Sequence, residues 1–307
     1  MSDAPIYEIP PDLIVHDEMY ALAPQLWHLP PDIWDSIWEN ATGKEIKIAI
    51  LDTGMNDHND LPTPVATKSF IRGQSYRDGN GHGTHCAGTA LGRNGIGVAP
   101  EADLIVGKVL SNRGSGSSSG IAAGIRWAAD AGADIISLSL GGGSSYSPTN
   151  QAIDYAWSKG CMVNAAAGNA GFRGRNTIGW PAKYSSCICN GATRSDGSIA
   201  GFSSGGSQLD WATPGQAIIS TSYRGGYVSM SGTSMATPFG SGVLALITEL
   251  MRREGNSHWT AKESFDAFIK ENADDRGTPG HDPSFGHGVP LYTQIVHKLM
   301  NKEIQWI

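Results

Sequence analysis

"DLIVGKVLSNRGSGSSSGIAAGIRWAADAGADIISLSL" (103–140) decides the fold. It opens on a short run rich in β-branched residues, passes a Gly/Ser segment, and continues as a helical stretch, "SSGIAAGIRWAADAGA" (118–133). A second apolar run, "DIISLSL" (134–140), closes it, so the unit reads strand, helix, strand. Outward from it the same alternation continues. "EIKIAIL" (45–51) reads as an earlier strand, "SPTNQAIDYAWSKG" (147–160) as a further helix and "CMVNAAA" (161–167) as a further strand. Strands joined by helices make parallel sheets with right-handed crossovers, so the expected fold class is α/β, a single domain with a mostly parallel central sheet and helices on both faces. The segment 187–230 has a different texture, with "CICNGAT", "QAIISTS" and "GYVSM" between Gly-rich turns, and reads as hairpins. Helices return at 233–253, 260–272 and 291–300, and the Pro-rich stretch 1–43 reads as irregular.

The totals exclude some functions. The 307 residues carry 22 Lys and Arg against 29 Asp and Glu, a formal charge of −7, without a long basic cluster, which argues against nucleic acid as a partner. The longest apolar runs, such as "VLALI", fall far short of the roughly 20 residues of a membrane span, so no membrane partner is expected. The start, "MSDAPIYEIPPDL", is acidic where a secretory signal is positive and has no apolar core, so a cytoplasmic location is expected, or a secreted one if the chain is a processed form. Cys187 and Cys189 would stand i, i+2 on one strand, about 6.6 Å apart with parallel Cβ vectors, which is poor disulfide geometry. All four cysteines are expected to be buried thiols.

Three motifs fall where strands end, which is where sites form in parallel sheets. "IKIAILDTG" delivers Asp52 at the end of a strand, and "DGNGHGTHCAGT" (78–89) sets His82 at a helix start after a glycine-rich loop. "AAAGNAG" (165–171) leaves Asn169 just past a buried strand. A fourth, "SGTSMATP" (231–238), puts Ser234 at the start of the helical run "FGSGVLALITELMRR", where about four backbone N–H groups lack partners and an oxyanion is stabilised. Each motif has a plainer reading as well: a turn or cap for Asp52 and Asn169, a helix cap for Ser231, Thr233 or Ser234, with Pro238 in the first turn. His82 and His85, three apart, could share a helical face for a metal, but no Glu completes a zincin pattern. Together the four supply what acyl transfer to a serine needs: Ser234 as nucleophile, His82 as base, Asp52 holding the imidazole, and Asn169 with a backbone N–H as oxyanion donors.

"AILDTG", "GHGTHCAGT", "SLGGG", "AAAGN" and "SGTSMATP" resemble the subtilisin-type serine peptidases, in the same Asp, His, Asn, Ser order, from about residue 27 to the C-terminus. The resemblance implies a serine endopeptidase acting on protein or peptide substrates, with no cofactor required for the chemistry. It implies that a substrate backbone lies between Gly114, Ser115 and Gly116 on one side and Ser139, Leu140 and Gly141 on the other. Gly141 and Gly142, the 165–168 segment with Ala166 and Gly168, and Gly179 would wall a primary pocket free of charge and bulk, so cleavage after large apolar or aromatic residues is expected. Leu110 would shape the neighbouring subsite, and Ser118 stands where many relatives carry an aromatic residue, so weak selection is expected further out. Asp210, with the carbonyls of Ser185 and Cys187, matches a structural calcium site of relatives, whereas "ALGRNGIGVAP" looks too short for another calcium loop. Cys86 resembles the thiol-containing subset and reads as a packing residue. Residues 1–25 resemble the short extension of intracellular subtilisins, ahead of a peptidase domain at 26–307. "YEIPPDL" would either cross the site, with prolines that spoil strand pairing, or form a surface strap. A dedicated processing peptidase and, less in keeping with four intact motifs, an inactive binding scaffold are the alternative functions. Oligomeric state is not legible.

Overall fold

The computed structural model describes residues 4–10, 13–20, 26–256 and 262–301; parts of the extension expected at 1–25 and the start of the helix expected at 260 lie outside them. The described strands are β1 (Ile6–Glu8), β2 (Ile14–Tyr20), β3 (Lys47–Asp52), β4 (Ala66–Ser69), β5 (Asp103–Lys108), β6 (Ser115–Ser117), β7 (Ile135–Leu138), β8 (Met162–Ala166), β9 (Ile188–Thr193), β10 (Trp211–Pro214), β11 (Ile218–Thr221), β12 (Tyr227–Ser231), β13 (Ala273–Asp274) and β14 (Val289–Pro290). The helices that matter here are α1 (Pro31–Trp38), α2 (His82–Leu91), α3 (Ser118–Asp130), α4 (Ser147–Ser158), α5 (Thr233–Arg253), α6 (Lys262–Asn272) and α7 (Tyr292–Met300). Seven strands form one parallel sheet in the order β10-β9-β8-β7-β3-β5-β4, giving the α/β architecture that the strand–helix alternation implies.

Two apolar clusters sandwich that sheet. On one face α2 and α5 pack with Ile48, Ile50, Val106 and Phe239, and on the other α3 and α4 pack with Leu51, Ile105, Ile136 and Val163. All four cysteines are free and buried, as their strand and helix positions imply. No described helix is long and apolar enough to cross a membrane.

Two expectations need correction. "CICNGAT" is no hairpin strand but β9, a parallel member of the central sheet; only β11 and β12 form the antiparallel pair. Polar Asn190 and Gly191 disguise β9, because Asn190 is satisfied inside the fold by Thr213 and Asn164. The stretch 1–43 is not wholly irregular either. Pro31 starts α1, a position where its missing N–H costs nothing, and the helix buries Trp34 and Ile37.

His28, just ahead of α1, is buried edge-on between Trp27 and Phe239, and neither ring nitrogen has a partner. His85 is buried in α2, and its Nε2–H donates to the carbonyls of Ile218 and Val228. Burial pushes both imidazoles down from 6.5 to about 3. Between those values the unfolded chain binds protons that the folded chain refuses, so stability rises with pH through this window and is lost as pH falls. Urea midpoints are expected to drop between pH 7 and pH 4, and in His28→Leu the drop should shrink by about 1–3 kcal/mol.

Candidate active site

The carboxyl end of β3 sets Asp52 beside the first turn of α2. Gly83 allows this approach: a Cβ there would lie 2.2 Å from the Gly54 carbonyl and 3.2 Å from the Asp52 Cβ. His82 Nδ1 meets Asp52 Oδ1 at 2.8 Å, and the Thr53 N–H donates to the same oxygen at 2.6 Å. Burial by itself would push the His82 imidazole down, but the Asp52 charge and hydrogen bond outweigh it and hold it well above 6.5. His82 Nε2 is buried with no partner, ready to accept a proton.

Asp78, read from the sequence only as part of a loop, is the cap of α2. Its carboxylate accepts the N–H groups of Asn80, Gly81 and Thr84 and the hydroxyls of Thr53 and Thr84. An Asp a few residues ahead of a helix start is the signal that could have found it.

Ser234 is the second residue of α5, and Pro238 sits beyond the first turn rather than in it. Having no N–H, Pro238 frees the carbonyl four residues back, which is that of Ser234. The Ser139 hydroxyl donates to that carbonyl at 2.8 Å, and the Cys86 thiol lies 3.4 Å from it. Ser139, Cys86 and Pro238 thus hold the backbone of Ser234. Its Oγ lies 3.5 Å from the Ser139 carbonyl, and no hydrogen bond to His82 is formed in this state.

The Asn169 side chain is aimed by Thr233, whose N–H and hydroxyl both donate to its Oδ1 at 2.9 Å. This leaves Asn169 Nδ2 as an unpartnered buried donor, 3.2 Å from where a Cβ on Gly232 would stand. The four motifs, far apart in sequence, therefore converge. Asp52, His82 and Cys86 also bring ligand-type atoms within 4.8 Å of one another, but His82 Nδ1 is committed to Asp52, which fits a proton relay better than a metal.

The segments named for substrate lie around this centre. Gly114 and Gly116 border one wall; Leu110 is held by its N–H to the Asp52 carbonyl. Gly141 and Gly142 border the other. Gly142 exchanges hydrogen bonds with Trp180, and the Gly179 N–H donates to the Ala167 carbonyl, closing a slot with Ala166 and Gly168.

That cleft is filled by the chain's own N-terminal segment. β1 pairs antiparallel with β6, and Glu8 exchanges two hydrogen bonds with Gly141, at 2.9 and 2.8 Å, so β1 lies between the two walls. Ile9 donates to the Gly114 carbonyl at 2.9 Å. Tyr7 is fully buried against Gly142, with its hydroxyl 3.2 Å from the Ser144 carbonyl. Past the centre, β2 pairs with β12, and Leu13 and Val15 close a cavity of about 350 Å³ beside His82, Tyr223 and Met230.

Calcium was expected at Asp210 with the Ser185 and Cys187 carbonyls. The Asp210 carboxylate is instead engaged by the Lys262 ammonium at 2.8 Å and the Cys189 N–H at 2.6 Å, and Lys262 also reaches Asp266. An ammonium and an amide donor are what a carboxylate holds when no cation is bound, so this donor set does not fit a divalent ion.

Residues 43–288 match the profile of the subtilase family. The chain is 47% identical over 212 residues to subtilisin DY of Bacillus licheniformis, covering 67% of this chain and 77% of that protein. It is 45% identical over 227 residues to thermitase of Thermoactinomyces vulgaris (71% and 80% covered) and 42% identical over 224 residues to subtilisin Savinase of Lederbergia lenta (71% and 80% covered). The fold and these likenesses define a serine endopeptidase. The chain belongs to the subtilase family.

A chelator is expected to leave the thermal midpoint unchanged, whereas Lys262→Met, which strands the partly buried Asp210 carboxylate, should lower stability by about 2 kcal/mol in thermal or urea melts.

Proposed function

We propose that this endopeptidase cleaves peptide bonds through an acyl-enzyme on Ser234. The observation that carries the reading is the Asp52–His82 hydrogen bond at 2.8 Å, with His82 Nε2 left without a partner at the head of α5. His82 takes the Ser234 hydroxyl proton as Oγ attacks the carbonyl carbon, and Asp52 fixes the Nδ1–H tautomer and stabilises the imidazolium. The oxyanion is met by Asn169 Nδ2 and the Ser234 N–H. His82 then gives its proton to the leaving amine, and water repeats the sequence to release the acid. The base works only when neutral, so kcat/KM rises with pH through a His82 titration above 6.5.

The uncharged slot between Gly141–Gly142 and Ala166–Gly168 supports cleavage after large apolar or aromatic residues. The buried Tyr7 supports an aromatic preference three residues further upstream of the scissile bond.

Residues 1–25 act as an inhibitory extension. β1 makes the pairings a substrate strand would make, so Tyr7, Glu8 and Ile9 take successive subsites and Pro10 follows at the primary one. The bond that follows Pro10 in the chain is the imide to Pro11, whose nitrogen carries no hydrogen. The peptidase unit is 26–307, and calcium has no role at Asp210.

A fluorophosphonate probe, read by intact mass, should add one adduct to a variant beginning at Leu26, none to Ser234→Ala, and little to the full chain. Asn169→Ala should lower kcat by about 10²–10³-fold with KM little changed. Replacing Pro11 by Ala should turn the extension into a substrate, seen as self-cleavage after residue 10 and faster peptide hydrolysis; persistence of the intact, inactive chain would count against the inhibitory reading.

A further inference from the structure

Lys108 ends β5, in register with Asp52 on the neighbouring β3, and its side chain is fully buried. Its ammonium donates to the Thr53 carbonyl and, at 2.8 Å, to Asn112 Oδ1. Thr53 is the pivot of the site. Its N–H donates to Asp52, its hydroxyl donates to Asp78 at 3.0 Å, and that hydroxyl accepts the N–H of Gly83, the residue after His82, at 2.9 Å. Two carboxylates, Asp52 and Asp78, are thus buried around one threonine, and Lys108 is the buried cation attached to it. A buried charge persists only when a partner compensates it. Burial pulls the Lys108 ammonium down while Asp78 and Asp52 pull it up, so the three groups share one field.

We propose that Lys108 is a positioning residue for the reaction: clamped on the Thr53 carbonyl, its ammonium balances the Asp52 and Asp78 carboxylates and so sets the charge under which His82 works. This rests on the triad reading above. The groups that face His82 are Asp52 from β3, Cys86 and His85 from its own helix, Asp78 from the loop before it, and Tyr223 and Arg224 across the cavity. Of these Asp52 favours the imidazolium most, with Cys86 next, and the Lys108 ammonium, held on the Thr53 carbonyl, opposes the Asp52 and Asp78 carboxylates. Removing its charge leaves them unopposed and raises the pH at which His82 loses its proton.

The test is a titration of the full chain labelled with ¹⁵N-histidine, with the His82 signals assigned by their loss in His82→Gln. In Lys108→Met the His82 midpoint should rise by half a unit or more, about a threefold change in its protonation equilibrium. Lys108→Arg, which keeps the charge, should leave the midpoint within a tenth or two of wild type. An unchanged midpoint in folded Lys108→Met would overturn the proposal and leave Lys108 a structural clamp. If Lys108→Met does not fold, the neutral polar Lys108→Gln is titrated in its place: the same rise is expected, and an unchanged midpoint in the folded variant would overturn the proposal. Failure of the triad reading is seen separately, as Ser234→Ala retaining probe labelling in the chain beginning at Leu26.

Discussion

Helix α5 is buried from Thr233 to Met251, and this confinement governs the site. A helix packed on all sides against the sheet and α2 cannot slide, so its first turn is a fixed platform. Pro238 interrupts its hydrogen bonding at one carbonyl, and that carbonyl belongs to Ser234. The vacancy is taken by Ser139 from the end of β7 and by Cys86 from α2. Ser234, the end of β7 and the helix that carries His82 are therefore tied at one backbone oxygen.

Around that platform nearly every polar group has a partner. Asp78 collects five donors, Thr53 links three residues, and the Asn169 carbonyl oxygen is held by Thr233. The exceptions there include Asp52 Oδ2, His85 Nδ1, His82 Nε2 and Asn169 Nδ2, and the last two are informative. Leaving a buried donor or acceptor unmade is costly, about 1–3 kcal/mol each, so such atoms persist where a ligand completes them. Both lie where a reacting carbonyl would bring a proton donor and a developing oxyanion.

The N-terminal segment lies in the same cleft by backbone pairing with β6 and Gly141, and Tyr7 is enclosed against Gly142. At Asp210 the charge is met by an ammonium carried by α6, from Lys262. A tethered charge needs no concentration of ion to remain bound.

The amino-acid sequence by itself determined the parallel α/β architecture and the four catalytic motifs, because strand–helix alternation and Gly-flanked polar residues at strand ends are local signals. The family likeness rested on the same short segments. Strand β9 was obscured because its Asn190 is satisfied only by distant partners, and helix α1 because prolines flank its start. The roles of Asp78, Lys108 and Lys262 depended on tertiary structure for the same reason. Each is a charge whose meaning comes from what it meets: Asp78 from the N-terminus of α2, Lys108 from a carbonyl on the adjacent strand, and Lys262 from Asp210, 52 residues away in sequence. Charges act through space at a few ångströms, and no local pattern of residues records which of them the fold will bring together.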